Sequence, residues 1–145
     1  MKNIIIGSIL LLTATLCYSQ HKITWKDLAK VTFTEKYFPK YKQSFLHPKF
    51  SSSVKALAGK LITIKGYFLN IDADSNIFIL SKGPMASCFF CGIGGPETAI
   101  ELIFKKTPTF KTDTIVAITG VLKLNQEDVE HFNYILTNCV ATVLK

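Results

Sequence analysis

Arginine is missing from this chain: all 17 basic residues are lysine, set against 10 acidic ones for a formal charge of +7. Lysine cannot make the planar bidentate contacts through which arginine reads bases and phosphates. The lysines are also scattered rather than clustered, so they read as a solvated surface, and nucleic acid is disfavoured as a partner. Long apolar runs are missing too. After Leu16 no segment approaches the roughly 20 apolar residues a bilayer-crossing helix needs, so no transmembrane segment is expected in the mature chain. A phosphate-binding glycine loop, a serine elbow and a defensible pair of catalytic acids are likewise absent.

The first residues supply what the rest lacks. Met1-Lys2-Asn3 is a basic start, Ile4 to Leu16 a short apolar core, and Cys17-Tyr18-Ser19 places small residues at the first and third positions before a cut after Ser19. That pattern is a secretory signal peptide over residues 1–19, which predicts an exported, periplasmic or secreted protein. Cys17 has a rival use as a lipid-anchoring cysteine, but Leu16 stands where lipoprotein signals carry glycine or alanine. The remaining chain is long enough for one domain with its own core, so any clustering of cysteines needs a local reason.

Residues 20–58 read as an N-terminal helical and irregular extension. Thr24 and Asp27 have capping-box spacing around a short helix that places Trp25 and Leu28 on one face. Phe33 to Phe50, broken by Pro39 and Pro48, reads as an extended connection wrapping the core. Ser51 to Ser53 cap a second helical turn, which ends at Gly59.

From residue 59 to 145 the pattern is β. Five strands are expected, at Leu61–Leu69, Ile77–Leu80, Thr98–Phe104, Thr114–Leu124 and Tyr134–Leu144. Ile64-Lys65-Gly66-Tyr67 and Ile118-Thr119-Gly120-Val121 repeat one device: a glycine inside a long strand, where a bulge or sharp coil lets a sheet close on itself. The fold class is therefore mainly β, a five-stranded OB-like barrel with a short N-terminal helical extension. A five-strand sandwich fragment or an open roll is the competitor.

Trp25 and Leu28, Val54 with Leu57-Ala58-Gly59-Lys60, the strand Ile64-Lys65-Gly66-Tyr67, and Phe78-Ile79-Leu80 leading to a loop with Ala86 and Cys88 form a pattern over most of the mature chain. In this it resembles a family of small exported bacterial proteins of unknown function with an OB-like barrel. The family pattern has a proline where this chain has Asn70. Its cysteine loop carries a histidine and a proline run, where this chain has Phe89-Phe90-Cys91 and glycines. The resemblance implies a fold and export, and no known reaction.

The loop Cys88-Phe89-Phe90-Cys91-Gly92-Ile93-Gly94-Gly95 is the candidate site. Cys-x-x-Cys followed by glycine is knuckle spacing: both sulfurs reach one ion about 2.3 Å away while the glycine turns the backbone. Cys139 on the last strand is the expected third donor, because the third and fifth strands of an OB barrel are neighbours. His47 and His131 are further ligand candidates, although a turn residue and an exposed residue are their plainer roles. Zinc or copper(I) fits such a Cys88, Cys91, Cys139 set. The alternatives are a Cys88–Cys91 disulfide in an exported chain, with Cys139 as a buried thiol, and, less favoured, a thiol-disulfide oxidoreductase. The redox reading suffers because its first cysteine belongs at a helix N-terminus, and Gly92 to Pro96 cannot start a helix. The balance falls to a non-enzymatic binding module. Glu97 and Glu101 read as exposed carboxylates on one strand face, and Gln126 to Glu130 as a solvated acidic loop.

Overall fold

The computed structural model describes residues 20–88, 91–92 and 94–144. The expected signal peptide over residues 1–19, with Cys17, therefore lies outside the described residues, as do Phe89, Phe90 and Ile93. The chain order is β1 (His21–Lys22), α1 (Trp25–Leu28), β2 (Val31–Phe38), β3 (Gln43–Phe50), α2 (Ser52–Lys55), β4 (Leu61–Asp72), β5 (Ile77–Ser81), β6 (Ala99–Phe104), β7 (Thr114–Leu124) and β8 (Tyr134–Val143). Strand makes up 51% of the structure and helix 12%, which fixes the class as mainly β.

Five of these strands close a barrel. β4 pairs with β5, β5 with β6, β6 with β8 and β8 with β7, and β7 returns to β4. All these pairings are antiparallel except β6 with β8, which run parallel. Closure in that order, with the third and fifth strands parallel, is the expected OB-type arrangement.

Alternation builds the core. Ile62, Ile64 and Phe68 of β4 and Val116, Ile118 and Leu122 of β7 point inward against Phe78, Leu80, Ile100, Leu102 and Leu136. The two strand glycines stand where side chains could not. A Cβ on Gly66 would lie 2.6 Å from the Ser81 carbonyl oxygen and 2.9 Å from Leu80 Cγ; on Gly120 it would lie 2.9 Å from the Thr137 carbonyl oxygen. Both serve close approach of a neighbouring strand, and Gly120 also sits at the register shift between β7 and β8.

That shift comes from one extra residue in β8. Asn138 takes φ +54°, and Thr137 and Val140 of β8 face Val121 and Thr119 of β7, so three steps oppose two. β6 meets the same bulge. Beyond it the in–out alternation of β8 is reset, so that Cys139 rather than Asn138 faces the core.

The extension is largely not helical, which corrects the sequence reading. Residues 33–50, expected to be irregular, lie in a regular hairpin: β2 and β3 pair antiparallel from Val31–Phe50 to Phe38–Gln43, turning through Pro39 to Lys42, with Lys42 at φ +52°. Pro48 is tolerated because a two-stranded sheet leaves every strand with a free edge. The two helices are one turn each. Their caps are as expected: the Asp27 carboxylate accepts from the Thr24 amide at 2.9 Å, and Ser51 Oγ accepts from the Val54 amide. α1 seals the barrel with Leu28, which is fully buried, and its terminal carbonyl accepts from the Tyr134 hydroxyl at 2.6 Å. The Trp25 indole donates to the Lys65 carbonyl at 2.8 Å. β1 adds itself parallel to β4 at Ile62 and Thr63. Among the described residues no helix is long and apolar enough to cross a membrane.

Candidate functional site

The cysteine loop joins β5 to β6 at one end of the barrel. Pro84 starts a single 3-10 turn over Met85–Ser87, and Cys88 ends it with an extended backbone (φ −85°, ψ 176°). The Cys91 amide donates back to the Cys88 carbonyl at 3.0 Å. Gly92 and Gly94 then take φ +77° and +95°, a left-handed region that glycine enters without penalty. The short 3-10 turn Pro96–Thr98 delivers the chain into β6. As expected, no α-helix begins among the described residues between Cys91 and Ala99.

The loop is anchored from below. Asp113, held at φ +67° before β7, accepts from the Met85 amide at 2.7 Å, while its own amide donates to the Phe68 carbonyl of β4 at 2.8 Å. At the other end the Thr98 hydroxyl donates to the Gly95 carbonyl at 2.7 Å, and the Lys82 amide donates to the Thr98 carbonyl.

Cys88 and Cys91 are brought together. Cys88 is buried, at 1% exposure, in a small cluster with Leu69, Ile79 and Ala99. Cys91 is exposed, and its thiol donates to the Met85 carbonyl at 3.1 Å. The Cys91 thiol is held above the ordinary cysteine value, first by desolvation and then by hydrogen bonding and charge interaction with Cys88. Both are free thiols; among the described residues there is no disulfide. Beside Cys88 lies a cavity of about 240 Å³, bordered by Ser81, Lys82, Ser87, Gly94 and Thr98.

Cys139 does not join them, which corrects the expected three-cysteine set. The strands are neighbours, as the OB reading requires, but they run parallel, and Cys139 pairs with Phe104 at the far end of β6. The loop enters β6 at Ala99, so at about 3.3 Å per residue the separation along the strand is roughly 16 Å. Cys139 packs in the main core and donates to the Leu136 carbonyl at 3.1 Å. Burial pushes its thiol up to about 12, so it stays protonated as a small core residue.

The histidines are engaged elsewhere. His47, in β3 rather than a turn, has Nε2 at 3.1 Å from Glu127 Oε1, and His131 Nδ1 lies 2.8 Å from Glu101 Oε1. Among the described residues no group of three or more His, Cys, Asp or Glu side chains is placed to hold a metal. Glu101 is also not the exposed carboxylate expected: it accepts from both the His131 ring and the Phe132 amide, and its side chain is 17% exposed.

A roomier groove of about 420 Å³ opens between the hairpin and the β7–β8 loop, walled by Phe38, Phe45, Leu46, Val129 and Phe132. The acidic stretch read as solvated in fact clamps this hairpin. Glu127 takes Lys36 Nζ at 2.7 Å as well as His47, Glu130 accepts from the Tyr41 hydroxyl at 2.9 Å, and the Gln126 amide donates to the Pro48 carbonyl at 2.7 Å. The groove is larger than the cavity at Cys88, yet no thiol borders it; chemistry rather than size places the candidate site at Cys88 and Cys91.

Compared with known proteins, the chain matches no family model, no characterised relative and no solved structure. The site has to be read from its own geometry.

Proposed function

We propose that this is an exported, non-enzymatic binding module in which Cys88 and Cys91 hold a thiophilic metal ion, copper(I) in preference to zinc. The observation that carries the reading is a buried and an exposed free thiol in one loop, the Cys91 amide donating to the Cys88 carbonyl and the loop anchored to the barrel through Asp113. Copper(I) is satisfied by few soft thiolate donors, whereas a closed structural zinc site needs four ligands. With Cys139 some 16 Å along the sheet and His47 and His131 paired to carboxylates, no four-ligand set is assembled among the described residues. The donor chemistry therefore suits copper(I).

Redox catalysis is disfavoured on the same geometry. An attacking first cysteine belongs at a helix N-terminus or beside a cation, whereas Cys88 ends a single 3-10 turn with an extended backbone. Export rests on the leader pattern of residues 1–19. A second reading, a stapling Cys88–Cys91 disulfide, draws on the same closeness of the two sulfurs in an oxidising compartment. Native mass spectrometry of protein purified from the exported fraction separates the two. Retained metal supports the binding module. A metal-free mass lower by two hydrogen atoms, mapped to the peptide holding Cys88 and Cys91, removes it.

A further inference from the structure

We infer that Met85 supplies a third sulfur, so that Met85, Cys88 and Cys91 form a three-sulfur clasp for copper(I). The inference rests on the copper reading above and adds a donor and a coordination number to it. The three residues recur at intervals of three in Met-x-x-Cys-x-x-Cys, and backbone hydrogen bonds link each to the next. The Cys88 amide donates to the Met85 carbonyl at 3.4 Å, and the Cys91 amide to the Cys88 carbonyl at 3.0 Å. The Met85 carbonyl also accepts from the Cys91 thiol at 3.1 Å, which brings both cysteines to one backbone unit.

The Met85 side chain packs against the cluster that contains Cys88, and it is half-buried at the loop rather than sealed inside the barrel. A thioether is a soft, neutral donor: with two thiolates it completes a set that selects copper(I) over harder divalent ions. The bound unit, one monovalent cation with two thiolates, carries a single negative charge. The anchor is built for position as well. Asp113 stands in a left-handed backbone conformation, uncommon outside glycine, and spends its carboxylate on the Met85 amide.

The plain alternative is that Met85 only fills space. X-ray absorption distinguishes the two on the reduced full chain loaded with copper(I) from a bicinchoninate complex. At the copper edge three sulfur neighbours are expected. The chain has two methionines, Met1 and Met85, so selenomethionine labelling followed at the selenium edge reports on this position, and a copper neighbour is expected there. Met85→Leu keeps the volume and removes the sulfur; it should leave two sulfurs and weaken copper(I) retention roughly 10–100-fold, the scale on which loss of even an outer-shell partner is felt. Two sulfurs in the wild type, no copper neighbour of selenium, or Met85→Leu retaining copper as well as wild type overturns the three-sulfur clasp while sparing the two-thiolate site. A wild-type chain that retains no copper(I) overturns both. The selenium edge decides even where Met85→Leu unfolds.

Discussion

Gly66→Ala is the sharpest test of why this barrel closes. β4 carries two neighbours at Gly66: it pairs with β7 through Val116, and one residue later begins its ladder with β5, Tyr67 facing Ser81. A methyl group at Gly66 would stand 2.6 Å from the Ser81 carbonyl oxygen, 2.9 Å from Leu80 Cγ and 3.1 Å from Leu80 Cδ1. Even a close Cα–H to carbonyl contact needs about 3.3 Å between carbon and oxygen, a shortfall of roughly 0.7 Å. The obstructing atom is backbone in a paired strand, so it cannot swing aside as a side-chain tip would. Relief requires β5 to move away from β4, and Leu80, fully buried, must leave its rotamer. Overpacking of this kind costs about 1–3 kcal/mol, and the backbone obstacle places Gly66→Ala toward the upper end. Against a total stability of about 5–15 kcal/mol the loss is large. Urea unfolding followed by far-ultraviolet circular dichroism should show the midpoint falling by about 1 M with an unchanged slope. Gly59→Ala is the comparator, since nothing lies within 4 Å of its added Cβ and the penalty comes from φ +77° alone, about 1–2 kcal/mol. A Gly66→Ala stability within about 0.5 kcal/mol of wild type would refute the close-approach account.

Other expectations follow from single contacts. Tyr134→Phe strips the buried hydroxyl that donates to the Leu28 carbonyl at 2.6 Å, and the unpaired carbonyl should cost about 1–3 kcal/mol in the same unfolding assay; a change near zero would mean water replaces the hydroxyl. Leu28→Ala, at a fully buried position, should cost about 2–5 kcal/mol and show that the one-turn helix belongs to the core. The pair of His131 and Glu101 predicts a titration. Hydrogen bonding and then charge attraction from Glu101 hold the His131 pKa above its ordinary 6.5, so the pair's stabilisation is full below that value and lost as pH rises through the raised one. NMR titration should find the His131 midpoint raised in wild type and returned toward 6.5 in Glu101→Gln; with His131 half-exposed the stability at stake is below about 1 kcal/mol. Glu127→Gln should speed hydrogen exchange across residues 31–50 and leave the barrel strands unchanged; equal effects on both would mean the hairpin has no independent opening.

Alternation and strand glycines made the barrel legible before any coordinates. Ile62-x-Ile64-x-Gly66-x-Phe68 and Val116-x-Ile118-x-Gly120-x-Leu122 state both the inward face and the point of closure. The hairpin was missed because Pro39 and Pro48 punctuate it, and because a proline stops a strand only where a neighbour needs its N–H; a two-stranded sheet has free edges to spare. The pairing of Cys88 with Cys91 could be read from spacing, since both lie in one loop. The exclusion of Cys139 could not. It depends on β6 and β8 being parallel and on a single bulged residue, Asn138, that turns Cys139 into the core, and nothing local in Leu136-Thr137-Asn138-Cys139 announces a φ of +54°. The grip of Glu127 on Lys36 and His47 was equally hidden, because it joins residues 91 and 80 positions apart.

Copper(I) stoichiometry of the reduced protein tests the central claim most directly. Titrated without oxygen against bicinchoninate as the competing chelator, the wild-type chain should withdraw about one copper(I) per molecule, and Cys88→Ser and Cys91→Ser should each lose that capacity while Cys139→Ser keeps it. Equal retention by wild type and the Cys88→Ser and Cys91→Ser variants, or no withdrawal by any of them, would contradict a metal held between those two sulfurs.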